Sequence, residues 1–457
     1  MPDFPLWQQG VRPHYPPLEK NASCDAVIVG GGLTGITTAA MLSAVGVRVI
    51  LLEGREIGCG ASFACTGKVT AMQPEVLDRV RFHAGQRAAT AYGRLLTRAV
   101  DEIRSMVESL RISCAYMPQE VLLYARTPQS LSMLHREHER LRHCGVSSSL
   151  LSVDTHLPLP VSRAAWLTGQ ARLMPLPYMF ALAEHARGQG CVLHEHTPVL
   201  EARAGCVRTS QHEIRADTVI LATGFPMKMK QMSILALTPQ HMLEERVLTH
   251  TPPLRTSMVD VRLDGLALLP SLGGIVATCD LGRTGARHTG AISGMDEQLR
   301  ALLPGAKLLQ RFFRADVFPV DGLPLVGECE DGDPRLLMAC GYSGWGMTGS
   351  FLAARVLSKL ILKQRCPEAS LLSPHRRYRG CLLTVLRGSL PPAGAWLRGL
   401  FRPGAPVCPH MGCRLHWDDA TRRWECPCHG SCFDELGMVV RAPAAEHTEA
   451  SIHHRRS

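Results

Sequence analysis

The stretch DAVIVGGGLTGITTAAMLSAVGVRVILLE at residues 25–53 decides the fold of the first domain. Asp25–Gly30 is a short apolar run that predicts a strand, Leu33–Val45 predicts a helix, and Val47–Glu53 predicts a second apolar strand. A strand, a glycine turn, a helix and a strand form a βαβ unit, which implies a parallel sheet covered by helices on both faces. The sequence therefore predicts a Rossmann-like α/β domain.

Three glycines indicate that the turn of this unit binds a dinucleotide. Gly30 permits the tight turn after the strand, Gly32 lets the backbone approach a pyrophosphate, and Gly35 allows the helix to pack closely on the strand. The helix then begins at Leu33 and Thr34, where free N–H groups and a partial positive charge face the phosphates. A purely structural glycine turn is the alternative, but the strand, the helix and a later acid are all in place.

That acid is Glu53, which ends the second strand eighteen residues after Gly35. Its carboxylate can accept hydrogen bonds from both ribose hydroxyls of an adenosine, and it would repel the 2′-phosphate of NADP. The motif alone fits FAD or NAD. Since FAD lies extended and needs contacts from distant parts of the chain, the late segments LATG (221–224), DGLPLVG (321–327) and GYSGWGMT (341–348) favour FAD.

With these motifs the chain resembles the D-amino-acid oxidase-like (DAO) family of FAD-dependent oxidoreductases. It is more closely similar to the bacterial, glycine-oxidase-like members that end in a Rieske domain. The resemblance implies an FAD-binding domain interleaved with a mixed-sheet substrate domain. The segments that carry it are GGGLTG (30–35) with Glu53, GASFACTGKVTA (60–71), LATG (221–224), VDGLPLVG (320–327) and GYSGWGMT (341–348).

The resemblance also implies which residues touch the cofactor. Residues of the 60–71 segment border the isoalloxazine, and residues 344–348 close over its far end. The complete set predicted to bind FAD is Gly30, Gly32, Leu33, Thr34, Gly35, Glu53, Gly54, Arg55, Ala61, Ser62, Thr66, Gly67, Lys68, Ala222, Thr223, Gly224, Asp321, Gly344, Trp345, Gly346, Met347 and Thr348.

One motif departs from the family pattern. Relatives carry a Trp-x-x-Gln-Asp run before the late aspartate, whereas this chain has Phe312, Phe313, Arg314, Ala315 and Asp316. The Trp and the Gln are absent, so the substrate preference of relatives need not carry over.

The C-terminal run CPHMGCRLHWDDATRRWECPCHGSCF (408–433) predicts a metal centre. It offers Cys408 and His410 from one loop and Cys426 and His429 from a second. A Rieske [2Fe–2S] cluster takes two Cys on one iron and two His on the other, and its potential of roughly −150 to +300 mV lets it accept electrons from a reduced flavin. Zinc is the alternative, but Cys₂His₂ zinc sites usually pair like with like, whereas each loop here gives one Cys and one His.

Similarity to Rieske proteins adds two expectations. Cys413 and Cys428 correspond to the pair that bridges the two cluster loops by a disulfide in many members, although a reducing cytoplasm would keep them as thiols. Gly430 and Ser431 would donate hydrogen bonds to sulfur and raise the potential.

The chain is long enough for two to three domains at about 150 residues each. Val76–Leu110 predicts one long helix, and the arginine-rich segment after residue 365 predicts a linker. The cluster domain is short, so it must lean on the flavin domain or on a second chain for its core. The predicted divisions are 1–23 lead-in; 24–80, 170–230 and 315–365 FAD-binding domain; 81–169 and 231–314 substrate domain; 366–404 basic linker; 405–446 truncated all-β Rieske domain; and 447–457 tail.

Composition and charge indicate the class of partner and the cellular compartment. The net charge of +10 indicates a basic surface, and without a clustered nucleic-acid motif we expect no nucleic-acid partner. The N-terminus lacks the pattern of a secretory signal, and no stretch of about 18 apolar residues predicts a membrane span. Five of the seventeen cysteines lie in one short stretch, and the rest are scattered as in a reducing compartment. These features predict a cytoplasmic protein.

The leading hypothesis is an enzyme that oxidises a C–N bond of a small amine or amino acid at FAD and passes the electrons to the cluster and then to an unidentified external acceptor. The C–N assignment rests on the family resemblance. No catalytic residue is nominated. The alternatives are a flavin and iron–sulfur electron-transfer protein with no organic substrate, and a module that keeps FAD without turnover.

Overall fold

The computed structural model describes residues 12–151, 161–225, 236–249, 254, 256–262, 264–271, 274–286, 288–329, 333–376, 405–441, 443–444 and 446–448. Within them the chain forms three β-sheets and eight α-helices. In chain order the elements are β1 (Ala22–Val29), α1 (Leu33–Ser43), β2 (Val49–Leu52), β3 (Lys68–Val69), α2 (Val76–Ala84), α3 (Gln86–Ser109), β4 (Met117–Ala125), α4 (Pro128–His143), β5 (Ser148–Leu151), β6 (Arg163–Arg172), α5 (Pro175–Gly188), β7 (Val192–His194), β8 (Glu201–Arg203), β9 (Cys206–Arg208), β10 (Glu213–Gly224), β11 (Leu237–Leu248), β12 (Ser257–Asp260), β13 (Ala267–Ser271), β14 (Gly274–Arg283), α6 (Thr289–Leu302), β15 (Lys307–Pro319), β16 (Leu325–Glu328), β17 (Leu336–Cys340), α7 (Gly346–Ile361), α8 (Glu368–Leu372), β18 (His416–Asp418), β19 (Arg423–Glu425), β20 (Cys432–Phe433) and β21 (Val439–Arg441).

The first sheet has eight strands in the order β16-β17-β10-β1-β2-β7, with the β8–β9 hairpin beside β10. The strands from β17 to β7 are parallel. Their residues are buried in continuous runs, as expected where helices cover a parallel sheet. Helix α1 packs against α5 and α7. The carboxyl ends of β1 and β10 therefore meet at one edge, where ligands of such sheets bind.

The second sheet has nine strands in the order β15-β11-β14-β13-β12-β4-β6-β3, and β5 lies beside β6. It is mixed, because β12 and β4 run parallel while the other pairs are antiparallel. Its strands come from segments that alternate along the chain with those of the first sheet. The predicted fold class, a Rossmann-like FAD-binding domain interleaved with a mixed-sheet domain, is confirmed.

The third sheet is a four-stranded antiparallel meander, β18-β19-β20-β21. Its small core contains Leu415, Phe433 and several cysteines. The sequence predicts that this domain leans on the flavin domain or on a second chain, and in the structure it packs against residues of the second sheet and its loops. A Cβ built on Gly285 would lie 2.7 Å from Pro427 Cα, and one built on Gly430 would lie 2.9 Å from Pro239 Cβ.

Some details differ from the sequence-based expectations. The helix predicted over Val76–Leu110 is two helices, because Gly85 at φ +89° ends α2 and precedes α3. Strand β6 continues to Arg172 and β15 to Pro319, past the predicted divisions at residues 169 and 314. Most of the predicted linker, 377–404, lies outside the described residues, as do residues 1–11 of the lead-in and 449–457 of the tail. No helix in the described part of the chain is long and apolar enough to cross a membrane.

Helix α1 can approach β1 only because position 35 is glycine. A Cβ there would lie 2.0 Å from Gly30 O, which no backbone shift of a few tenths of an ångström relieves. We expect Gly35→Ala to lower the free energy of unfolding by about 1–3 kcal/mol or more, as overpacking does. Urea unfolding measures this loss of unfolding free energy. Gly188→Ala is the control, since a Cβ on Gly188 meets nothing within 4 Å. Equal stability of the two variants would contradict this packing argument.

Candidate functional site

A cavity of about 830 Å³ opens at the carboxyl ends of β1, β2 and β10. It gathers residues from all the predicted FAD segments except the one around residue 321. The members of the predicted set that line it are Gly30, Gly32, Leu33, Thr34, Glu53, Gly54, Arg55, Ala61, Ser62, Thr66, Lys68, Ala222, Thr223, Gly224, Gly344, Trp345, Gly346 and Met347.

The glycine turn has the geometry that a pyrophosphate needs. Gly30 adopts φ +111°, and a Cβ on it would lie 2.5 Å from Ala222 O. Gly32 caps the N-terminus of α1 without any side-chain hydrogen bond. Ser62 Oγ, from a short 3₁₀ turn at Gly60–Ser62, accepts from Leu33 N at 3.1 Å. The helix end therefore faces the cavity with backbone donors, which suits an anionic group.

Glu53 lies where the adenosine end of a dinucleotide is expected. One carboxylate oxygen accepts from Gly31 N at 2.8 Å and the other from Arg55 N at 2.9 Å. Burial raises the pKa of Glu53, while these two N–H groups oppose the rise. The backbone bonds fix the carboxylate at the cavity wall, and each oxygen keeps a further lone pair for a hydroxyl donor.

Four predicted residues lie away from the cavity. Gly35 packs α1 on β1, Gly67 takes a left-handed turn at φ +73°, and Thr348 Oγ1 accepts from Thr70 N at 3.1 Å. The structure does not bring Asp321 to the cavity. Its carboxylate forms a buried ion pair with Arg376 at 2.7 and 2.9 Å. Its acidic side chain thus stabilises the start of the segment predicted as a linker.

Lys68 lies at the end of the cavity that Trp345 closes. Its Nζ sits 4.7 Å from the centre of the Trp345 ring. Burial, together with the nearby Arg314 guanidinium, lowers the pKa of Lys68 to about 8, although Glu244 opposes the change. Lys68 can thus gain or lose a proton near neutral pH.

Arg314 is a cavity residue that the sequence marked only as a departure from the family pattern. It forms a buried ion pair with Glu244 at 2.8 Å and approaches Asp316 at 3.5 Å. Asp316 in turn accepts from Gly344 N at 2.9 Å. The altered Phe312–Asp316 run was the signal that could have located this network.

A smaller cavity of about 40 Å³ adjoins the main one, with which it shares Lys68, Gly344 and Trp345. Thr278 Oγ1 and Ser343 Oγ in its wall are buried, and neither has a hydrogen-bond partner among the described residues. Asp260, also in this wall, accepts from Arg262 N at 3.0 Å. This side cavity offers polar contacts to a small group beside the cofactor site.

The four predicted cluster ligands come from two closed loops. Cys408 N donates to Cys413 O at 2.8 Å, and Cys426 N donates to Ser431 O at 2.8 Å. Hydrogen bonding from Cys426 lowers the pKa of Cys408 to about 6, and the Ser431 hydroxyl adds to this. The two thiols are therefore close enough to serve one iron.

The two histidines suit the second iron. Their rings lie 5.2 Å apart at 88°, and within the described residues neither buried Nδ1 has a hydrogen-bond partner. Burial lowers the pKa of His410, and burial with the neighbouring His410 lowers the pKa of His429 to about 4. Both imidazoles are thus neutral at pH 7, the form that binds metal. The residues fit a Rieske cluster.

Cys413 and Cys428, the predicted disulfide pair, also lie together. Their sulfur atoms are 2.7 Å apart, so the structure has them as thiols in contact, since a disulfide needs about 2.05 Å. Bridging of the pair stays a prediction.

One of the predicted cluster ligands lies at both sites. His429 and the adjacent Gly430 line the same cavity as Gly30, Glu53 and Trp345. The ring of Phe225, which follows the last residue of β10, lies 5.9 Å from the His429 ring. Sequence patterns did not predict this meeting, because it depends on how the third sheet docks.

Comparison with known proteins agrees with both sites. The family of FAD-dependent oxidoreductases called DAO matches residues 25–360. The chain belongs to the DAO family. The Rieske [2Fe–2S] domain family matches residues 383–451, beginning inside the segment predicted as linker. The protein therefore has FAD and a [2Fe–2S] cluster as cofactors.

Three relatives illustrate the match. YhfW of Bacillus subtilis, named as a Rieske 2Fe–2S iron–sulfur protein, is 28% identical and aligns over 94% of both chains. The gamma-glutamylputrescine oxidoreductase of Escherichia coli is 24% identical over 75% of this chain and 85% of its own. Glycine oxidase from Geobacillus kaustophilus has a TM-score of 0.65 at 20% identity, covering 78% of this chain and 99% of that one, which shows a shared fold.

The buried carboxylate of Glu425 holds the Rieske domain against the second sheet of this DAO-family protein. His241 Nε2, from β11, lies 2.7 and 2.8 Å from the two oxygens of Glu425, and Gly285 N donates to Glu425 at 3.1 Å. Both side chains are at most 2% exposed. Glu425 directly precedes the cluster loop, so this contact places the loop against the second sheet.

Lys68 makes the stability of the FAD-free protein depend on pH. Its folded pKa of about 8 lies below the ordinary 10.5, so its charged form costs folding free energy below pH 8. We expect the unfolding free energy of the wild type to increase relative to that of Lys68→Met, by at most about 3 kcal/mol between pH 8 and 10.5, since buried Tyr and Cys groups titrate in both proteins. Urea unfolding of both proteins at several pH values tests this. Lys20→Met, at an exposed site, should follow the wild type.

Loss of the Glu425 partner should loosen the Rieske domain. His241→Phe leaves a buried carboxylate without its closest donor, which costs about 3–5 kcal/mol. We expect the visible absorbance of the cluster to bleach at a lower temperature in this variant. Arg422→Gln, which breaks an exposed ion pair with Glu435 in the same domain, should change little. Bleaching of His241→Phe at the wild-type temperature would refute the seating role.

Proposed function

We propose that the protein oxidises the C–N bond of a small amine or amino-acid-like substrate at FAD and passes the electrons through its Rieske cluster to an external acceptor. When bound, FAD would supply the two-electron oxidation chemistry and the cluster would supply one-electron transfer. The chain itself positions both groups and the substrate.

The FAD would lie in the 830 Å³ cavity. In this proposal the backbone at Gly30 and Gly32 and the N-terminus of α1 bind the pyrophosphate, and Glu53 binds the ribose. Thr34 Oγ1 lies 2.8 Å from Tyr342 OH, which ties this motif to the glycine-rich segment 341–348. The isoalloxazine would therefore lie between the 60–71 segment and Trp345.

The cluster would be bound by Cys408 and Cys426 on one iron and by His410 and His429 on the other. The unpartnered Nδ1 atoms of both histidines support this assignment. The hydroxyl of Ser431 would stay hydrogen-bonded to the sulfur of Cys408 and make the cluster easier to reduce.

The proposed electron transfer from FAD to the cluster is supported mainly by the position of His429. One proposed cluster ligand lines the cavity that the proposed FAD residues line. Because electron transfer weakens steeply with distance, a ligand at the wall of the cofactor cavity gives the shortest available route. The Phe225 ring also lines the cavity and lies 5.9 Å from the His429 ring, beside that route.

The substrate class is supported by relatives and by the side cavity. The names of two similar proteins state glycine and gamma-glutamylputrescine, both amines. In this chain Lys68, Asp260 and the free hydroxyl of Thr278 surround the side cavity beside Trp345. Such groups can hold the polar ends of a small amine while its C–H bond faces FAD.

The small size of the side cavity favours a second candidate. About 40 Å³ accommodates only a few atoms. A flavin and iron–sulfur protein that exchanges electrons between redox partners needs no room for an organic substrate. In that case no amine would reduce FAD, whereas a chemical reductant would still reduce both centres.

Anaerobic titration separates these candidates. We expect glycine or gamma-glutamylputrescine to bleach the flavin absorbance, and an EPR signal of the reduced cluster to follow. Flavin bleaching with no cluster signal would refute the relay. If no amine bleaches the flavin but dithionite reduces both centres, the electron-transfer alternative holds.

A pair of cysteine variants controls the experiment. Cys408→Ser removes a proposed ligand, so we expect loss of iron and of the EPR signal with flavin bleaching retained. Cys432→Ser removes an equally buried cysteine of the same domain that is not a proposed ligand, and it should keep its iron. Full iron content in Cys408→Ser would refute the ligand assignment.

A further inference from the structure

The main cavity does not end at the boundary of the FAD-binding domain. Part of its lining comes from the strand and loop that end the Rieske domain. We call these residues the cluster-side wall: Val439, Arg441, Ala444, Glu446 and His447. The cavity that begins at Gly30 and Glu53 is therefore closed by a domain that follows it by almost four hundred residues.

Arg441 is the cation of the cluster-side wall. Its Nε donates to Gly430 O at 2.9 Å, and its Nη2 lies 3.6 Å from Glu425. Glu425 already has closer contacts with His241 and Gly285. Among the described residues, none accepts a hydrogen bond from Nη1 of Arg441. The guanidinium is thus fixed in place by one nitrogen and keeps donors for an anion.

The wall cannot easily move away from the cavity. Pro239 lines the cavity and also packs against Gly430, where a Cβ would lie only 2.9 Å away. The buried contact of His241 with Glu425 lies two residues further along the same strand. Opening the wall would expose this carboxylate and break both contacts.

We infer that the Rieske domain is part of the FAD site, with Arg441 and Val439 of the cluster-side wall contacting the bound nucleotide. The inference rests on the proposed place of FAD in this cavity. The anionic pyrophosphate is the chemical group that a fixed guanidinium recognises. The domain thereby covers the cofactor that supplies its electrons, and FAD stays bound only while the domain is docked.

Binding and docking are then linked in both directions. If docking of the Rieske domain strengthens FAD binding, bound FAD strengthens docking by the same factor. Loss of the wall contacts should therefore appear first as faster release of FAD, with the cluster still in place.

The test measures how fast FAD leaves the diluted holoprotein, followed by the fluorescence of released flavin. We expect Arg441→Gln to release FAD about tenfold faster or more, as for loss of a hydrogen bond to a charged group. Arg422→Gln is the matched control, because it removes an exposed arginine of the same domain that lies outside the cavity, and it should release FAD no faster than the wild type.

A second variant pair avoids the contact of Arg441 with the cluster loop. Val439→Glu places a carboxylate in the wall and should speed FAD release by about tenfold or more, whereas Leu436→Glu, at an exposed site of the same domain outside the cavity, should not. Iron content and the EPR spectrum should stay unchanged in both. Neither measurement needs a substrate or electron transfer, so failure of the proposed function would leave this result standing.

Wild-type release rates in both Arg441→Gln and Val439→Glu would overturn the inference. In that case Gly30→Val shows where the error lies. If that variant lacks FAD, the cofactor occupies the cavity but the Rieske domain is not part of its site. If it retains FAD, the placement of FAD in this cavity is itself wrong.

Discussion

The relation between the two cofactor sites depends on one buried carboxylate, Glu425. Burial alone would raise the pKa of Glu425. The charge and hydrogen bond of His241, together with the charge of Arg441, instead lower it to about 2. An ionised carboxylate only accepts, so Nε2 of His241 carries the hydrogen. A buried charge is costly when its partner leaves. The Glu425–His241 contact therefore stabilises the docking of the Rieske domain on the second sheet. Because Cys426 directly follows Glu425, the same contact fixes the position of Cys426.

Docking also explains how so small a domain keeps its cluster. Its own core is little more than Leu415, Phe433 and the cysteines of the loops. A core of that size contributes little stability by itself. The domain also packs against Pro239 on the second sheet and against Gly285 in the loop after β14. The same contacts place His429 at the cavity proposed for FAD, so one interface both stabilises the domain and would give the proposed electron path its short route.

The parts that sequence predicted are those whose geometry is local. The turn at Gly30 and the ligand loops at Cys408 and Cys426 each lie within a short run of residues, where spacing determines the backbone. The cavity wall around Arg314 and Val439 was not predicted, since it forms only when distant strands pair and the third sheet docks. Asp321 was assigned to the cofactor because it belongs to a family motif, but its partner Arg376 lies in a segment whose composition indicated a solvated linker. A charge pattern does not reveal whether an arginine has a buried partner.

The charges around the cavity bear on the chemistry of the proposed FAD. Arg314 is matched by Glu244 and Asp316, whereas no ion pair of Lys68 is found among the described residues, and its pKa falls to about 8. In the proposed position the anionic pyrophosphate lies at Gly30 and Gly32, and the ring beside Lys68 is neutral when oxidised. Electron density added to the ring on reduction would favour the charged form of Lys68, and by linkage a protonated Lys68 would favour the reduced ring. The buried cation that costs stability in the FAD-free protein would thus tune the electronic properties of the ring.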